Sequence, residues 1–143
     1  MPKPKSKPKQ YRYAEGTTVP VMDSQSEVRK FLVDKMGSTK YGLLWDGKNE
    51  AIGFELFGVA HQIKVPPSQE EKEHRRAWRC VLLFVKTMWE SIQSGIVTIE
   101  QATLGTALLP SNKTVFEELP SQVQIAKQTG QMPNLFPQLT EGE

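Results

Sequence analysis

The sequence lacks the residues from which disulfides, metal sites and membrane spans are made. Only one of its 143 residues is cysteine and only two are histidine. Cys80 alone excludes an internal disulfide and a cysteine-based zinc site. The longest apolar run covers residues 80–85 and ends at Lys86, whereas a transmembrane helix needs roughly 20 apolar residues. We therefore expect a soluble chain of the reducing cytoplasm, without a membrane partner.

Motifs of catalytic sites are also missing. There is no glycine-rich phosphate loop, no G-x-S-x-G nucleophile elbow and no H-E-x-x-H pair. His74 and Cys80 lie six residues apart on one predicted helix and project about 120° apart, so they cannot form a dyad. His74 falls on the apolar face, one turn before Trp78, which is typical of a histidine at the edge of a core. The sequence predicts no enzymatic activity, no metal site and no cofactor.

What the sequence has in excess is positive charge at its N-terminus. Residues 1–13 carry five cations and no acid, although the net charge of the chain is only +2. The prolines lack a backbone N–H donor, and the positive charges of the lysines repel one another. Both effects predict a disordered arm. We divide the chain into this basic arm, a single domain over 14–137 and a flexible tail over 138–143. The cations of the arm are Lys3, Lys5, Lys7, Lys9 and Arg12.

Alternating apolar residues predict a three-stranded antiparallel meander. The segments 40–46, 51–57 and 59–65 show this alternation. Asp46-Gly47 and Gly58 are tight-turn signals between them. Two prolines end the ribbon because neither can donate to a ladder of hydrogen bonds.

Helical periodicity predicts one long helix packed against this sheet, which makes the fold class α+β. The helix should begin at Ser68, with Glu71 as its capping partner, and stop at Gly95. Its apolar positions form one broad face that we expect to lie across the sheet. They are Trp78, Val81, Leu82, Val85, Met88, Trp89 and Ile92.

Three shorter helices complete the predicted domain. Capping boxes at Ser24, Thr98 and Thr114 mark where each of them starts. Pro120 should interrupt or kink the last one, because its ring removes a backbone donor.

A basic stripe is predicted on the long helix, opposite its apolar face. Its cations project within a sector of about 100° and extend over roughly 21 Å. Together with the arm, such a row suits a phosphate backbone without reading its sequence. The alternative is an ordinary solvated helix face, because Glu71 and Glu90 provide ion-pair partners and interruptions. The stripe consists of Lys72, Arg75, Arg76, Arg79 and Lys86.

Two aromatic residues stand at predicted hairpin ends. Trp45 precedes the Asp46-Gly47 turn, and Phe57 precedes Gly58. Most other aromatic side chains should lie in the core. Partly exposed aromatics are suitable anchors for protein contacts, which makes Trp45 and Phe57 the candidates for such a role.

Five blocks of the sequence resemble a known family. The segments TTVPV, GFEL, RAWR, SGIVTIE and TGQMP are similar, in this order, to blocks of a family of small uncharacterised proteins of tailed bacteriophages and prophages. The resemblance covers residues 17–137 and omits the arm. It implies an accessory or early gene product that acts in the host cytoplasm.

These observations support two functions of different classes. The first is a non-enzymatic accessory protein that binds nucleic acid, independently of sequence, through the arm and the basic stripe. The second is a protein-binding module that inhibits or redirects a host or defence complex, which the exposed aromatics and the resemblance favour.

Overall fold

A three-stranded antiparallel sheet and a long helix packed against it form the framework of the domain, as the sequence predicts. The computed structural model describes residues 12–130. Strands β1 (Lys40–Trp45), β2 (Glu50–Leu56) and β3 (Val59–Lys64) lie in the order β1-β2-β3. The arm lysines and the tail 138–143 lie outside the described residues.

Both hairpins close with the turn chemistry that the sequence indicates. Between β1 and β2, the Asp46 carboxylate accepts backbone hydrogen bonds from Asn49 at 2.7 Å and Lys48 at 3.0 Å. These bonds lower the pKa of Asp46. Between β2 and β3, Phe57 and Gly58 both adopt positive φ, at 53° and 77°. Two left-handed residues match the twist of the flanking strands.

The long helix α2 (Glu71–Gln93) buries the apolar face that its periodicity predicts. It ends before Gly95, whose φ of 80° reverses the chain. The predicted start at Ser68 was wrong, because Glu70 is still extended and is the N-cap of α2. The core of the domain lies between this helix, α1 and the sheet. Its buried members larger than alanine are Val28, Leu32, Met36, Ile52, Phe54, Leu56, Ile63, Val65, Trp78, Val81, Leu82, Val85 and Met88.

The first helix, α1 (Val21–Arg29), begins one turn earlier than the predicted capping box at Ser24. Pro20 is its N-cap, and the fixed φ of proline is compatible with a helix start. Ser24 therefore lies inside the helix and is completely buried. A wider π-helical turn, Lys30–Lys35, continues α1.

The C-terminal part of the described chain confirms two capping boxes. Thr98 caps α3 (Ile99–Thr103), and Thr114 caps α4 (Val115–Thr129). A 3₁₀ turn follows α3 directly. The last helix is not interrupted, because α4 runs through Pro120, and a kink at Pro120 stays a prediction.

Candidate protein-interaction surface

The arginines of the basic stripe hold the N-terminal part of the domain against α2. The Arg79 guanidinium lies 3.1 Å from the Glu27 carboxylate of α1. The Arg75 guanidinium lies 3.5 Å from Glu71 and also donates to the Thr17 carbonyl at 3.2 Å. Helix α1 thus packs on the side of α2 that the sequence alone assigns to solvent. Arg75 and Arg79 therefore stabilise the packing of the N-terminal part of the domain on α2.

The remaining stripe cations do not form a continuous row. Arg76 is half-buried, and its Nε has no acceptor among the described residues. Arg12, the last cation of the predicted arm, lies 3.3 Å from the Glu73 carboxylate. Only Lys72 and Lys86 of the stripe are exposed without an ion pair within residues 12–130. They lie about 21 Å apart along the helix axis.

Both predicted contact aromatics are exposed, but they belong to different surfaces. Trp45 is 73% exposed and Phe57 is 69% exposed. Trp45 pairs with Glu50 at the beginning of β2, whereas Phe57 follows its last residue. The length of β2 separates them by about 23 Å, so one small partner surface cannot use both as its centre.

Strand β1 presents an open backbone edge. The hairpin closes with a hydrogen bond from the Asp46 N–H to the Asn49 carbonyl at 3.2 Å. Because bonding alternates along an antiparallel strand, the even-numbered residues of β1 bond to β2. The backbone groups of the odd-numbered residues point away from the sheet, and within residues 12–130 no further strand pairs with them. These residues are Tyr41, Leu43 and Trp45.

The opposite edge of the sheet is covered. His61 of β3 forms a bridge with Ala107. Next to it, the Leu108 N–H donates to the Ala60 carbonyl at 2.8 Å. The segment after the 3₁₀ turn therefore protects β3, while β1 has no comparable cover in the described part of the chain.

The side chains of β1 leave this open edge apolar. Leu43 is 50% exposed, and its neighbour Leu44 on the other face is 49% exposed. Leu43 pairs with the fully buried Ile52, so the helical layer covers β2 here but leaves Leu43 half exposed. Tyr41, near the start of β1, packs against the core. Natural edge strands are usually blunted by charges, proline or bulges, and residues 41–45 contain no charge or proline. We call the outward backbone of Tyr41, Leu43 and Trp45, with the side chains of Leu43, Leu44 and Trp45, the β1 edge.

Sequence reasoning identified Trp45 but missed the two leucines beside it. The available signal was the run Leu43-Leu44-Trp45 directly before a tight turn. A strand of a two-layer domain that is apolar on both faces must expose one of them. That the second face is exposed as well depends on how far the helices reach, which is a tertiary property.

A buried histidine fastens β3 to the turn after α3. His61 Nδ1 lies 3.0 Å from Thr106 Oγ1, and the Thr106 hydroxyl donates to the Thr103 carbonyl at 2.9 Å. The hydroxyl proton is thereby used, so His61 Nδ1–H is the donor. The ring also stacks on Phe54 with 5.0 Å between centroids. Burial lowers the pKa of His61, with a smaller opposing effect of the Thr103 backbone.

This histidine should make the stability of the domain fall on mild acidification. Since the folded-state pKa of His61 is lowered, the unfolded chain takes up the proton first as the pH falls. The stabilisation is complete above the unfolded value of about 6.5 and is lost below it. Thermal unfolding between pH 7.5 and pH 5 measures this. The Glu117 carboxylate, whose pKa falls to about 2 as it accepts a hydrogen bond from Lys64, responds only at lower pH.

The variant that tests this prediction is His61→Gln, which should remove most of the pH dependence in this window. An unchanged slope in His61→Gln would show that other groups carry the effect.

His74 lies at the core edge, as the sequence predicts. It is half-buried, and its Nε2 lies against the Glu50 carboxylate and 3.3 Å from Trp78 Nε1. Cys80 lines a separate cavity of about 340 Å³ with Phe84 and Phe116. In the described part of the chain, no group of three or more histidine, cysteine, aspartate or glutamate side chains has metal-binding geometry.

No helix within residues 12–130 combines the length and the apolarity needed to cross a bilayer. The chain matches no protein-family model, no curated protein and no solved structure.

Proposed function

We propose that this protein is a non-enzymatic protein-binding module and that the β1 edge is its binding surface. The observation that carries the proposal is the coincidence of unpaired outward backbone groups with exposed apolar side chains on one strand. An extended partner segment can add to such an edge as a further strand, so that main-chain hydrogen bonds supply affinity. Alternate side-chain positions then supply specificity.

Trp45 is the anchor that this surface offers. Tryptophan is enriched among the residues that dominate binding energy, and Trp45 exposes 73% of its surface beside the backbone groups that would pair. The phage-like resemblance favours a component of a host or defence complex as the partner. Occupation of an edge strand would inhibit or redirect such a complex by blocking its own contacts.

Nucleic-acid binding is the second candidate function, and it rests on the arm. Four lysines alternate with other residues over 3–9 without any acid, which suits sequence-independent phosphate contacts. The contacts of Arg75 and Arg79 with α1 and the preceding segment leave the arm as the main cationic region for this role.

One capture experiment tests both candidates. Tagged wild-type protein is used to retain partners from host lysate with and without nuclease, in parallel with Trp45→Ala and Leu43→Pro. Proline at position 43 removes an outward N–H that bonds nothing within the sheet, so the fold should tolerate it. We expect a stoichiometric protein that survives nuclease and is reduced at least tenfold by either substitution.

The control is Ile96→Ala, which shortens an aliphatic side chain that is 79% exposed outside the sheet, and it should capture normally. A protein retained equally by all variants, or none at all, would refute a host or defence partner at the β1 edge. Material that disappears with nuclease, and also when the arm lysines are replaced by glutamine, supports the second candidate instead. Those lysines are Lys3, Lys5, Lys7 and Lys9.

A further inference from the structure

We infer that the β1 edge binds a second copy of this chain, forming a two-fold symmetric dimer with Leu43 on the axis. This inference rests on the proposed function, since it uses the same β1 edge, for which a second copy and a host protein would compete. The two β1 strands would run antiparallel and join two three-stranded sheets into one.

The alternation of inward and outward backbone groups along β1 limits how two copies can pair. Only the odd-numbered residues offer outward backbone groups, so each must face an odd-numbered residue of the second copy. Two-fold axes at Gly42, Leu43 or Leu44 satisfy this condition. The axis at Leu43 pairs residues 40–46 with themselves and gives about six hydrogen bonds.

The helix-side face of this pairing is apolar and self-complementary. Leu43 meets Leu43 of the second copy, and Tyr41 meets Trp45 of the second copy on either side of the axis. Directly opposed residues bring their Cβ atoms to roughly 5 Å, and aromatic pairs in such positions are favourable. Leu43 and Trp45 are both exposed in the single chain, whereas Tyr41 is half-buried against the core, so this face is open to a partner at Leu43 and Trp45.

Charge on the other face selects the same axis. The axis at Leu43 places Lys40, whose Nζ lies 3.4 Å from the Glu55 carboxylate of its own chain, opposite Asp46 of the second copy, twice per dimer. It also places Leu44 opposite Gly42. The axis at Gly42 would instead oppose Lys40 to Leu44, and the axis at Leu44 would oppose it to Lys48. Opposite charges across strands are stabilising and like charges are destabilising. Backbone hydrogen bonds from Asn49 and Lys48 lower the pKa of Asp46 and keep it ionised.

The helices leave room for the second sheet. Ile52 of β2 is fully buried beneath the helical layer, whereas its cross-strand partner Leu43 is half exposed. Since the helical layer leaves Leu43 and Trp45 exposed, the two helical layers would stand on the same side of the joined sheet with β1 of both copies between them.

The mass in solution tests the dimer. By light scattering or sedimentation, the full chain should show twice its 16.2 kDa at micromolar concentration. Leu43→Lys puts two ammonium groups face to face on the axis and should weaken association at least tenfold. Ile96→Lys adds the same charge at another exposed aliphatic residue and should remain dimeric.

Disulfide trapping tests the register. In a Cys80→Ser background, Leu43→Cys should cross-link on oxidation, because opposed Cα atoms lie about 5.5 Å apart, within the reach of a disulfide. Trp45→Cys should not, because the two copies of position 45 would lie about 13 Å apart. Equal cross-linking of both variants would overturn the register.

The remaining outcomes are also decisive. A wild-type chain that stays monomeric at about 100 µM, or a dimer that Leu43→Lys leaves intact, overturns the inference. If that monomer still captures another protein through Trp45 and Leu43, the proposed function stands without the dimer. If neither association occurs, both fail.

Discussion

Trp78→Ala is expected to lower the free energy of unfolding by about 3–5 kcal/mol. Trp78 is 1% exposed and lies at the centre of the apolar face of α2. Its removal leaves a cavity between α2 and its surroundings, and it also removes the indole N–H that lies against His74. Denaturant unfolding followed by circular dichroism measures the change. A loss below about 1 kcal/mol would contradict this position of Trp78 in the core.

Trp45→Ala is the matched control, because it makes the same chemical change at a side chain that is 73% exposed. We expect a change in stability of no more than about 0.5 kcal/mol. The same variant should lose partner binding under the proposed function. Trp78→Ala therefore reports on the stability of the domain, and Trp45→Ala reports on partner binding.

Ser24→Ala is expected to raise the free energy of unfolding by about 1 kcal/mol. The Ser24 hydroxyl is fully buried and has no hydrogen-bond partner among the described residues. Folding thus removes it from water without replacement, and alanine avoids that cost. If Ser24 were the N-cap that the sequence predicts, the same substitution would instead destabilise the protein by about 1 kcal/mol.

Ser26→Ala provides the reference for this prediction. It lies on the same helix but is exposed, so it reports only the better helix propensity of alanine, about 0.5 kcal/mol. Ser24→Ala should exceed this gain. A loss of stability in Ser24→Ala would place the start of α1 at Ser24 after all.

Local patterns predicted the elements whose signals lie close together in the chain. The alternation of β2 placed Ile52, Phe54 and Leu56 on one buried face, and helical spacing placed Trp78 and Val85 in the core. Each of these signals is the regular spacing of apolar residues along one strand or helix that faces the core. The capping boxes at Thr98 and Thr114 were equally local, since each involves a side chain and the backbone three residues away.

Helix starts were predicted wrongly where several signals compete. Ser24 and Ser68 both stand three residues before a glutamate and fit the capping pattern. The observed N-caps are other residues: Pro20 precedes α1, whose start fits the fixed φ of proline, and the still extended Glu70 precedes α2. The pattern of a capping box alone does not distinguish these cases.

The sequence by itself determined the α+β framework, because apolar periodicity and turn residues act over a few positions. Only the tertiary structure decided which surfaces are free. The packing of α1 on α2 assigned Arg75 and Arg79 to internal contacts, and the limited reach of the helices left Leu43 and Trp45 exposed. The physical reason is that exposure depends on which distant segment covers a residue, and the spacing of residues in one element carries no information about that segment.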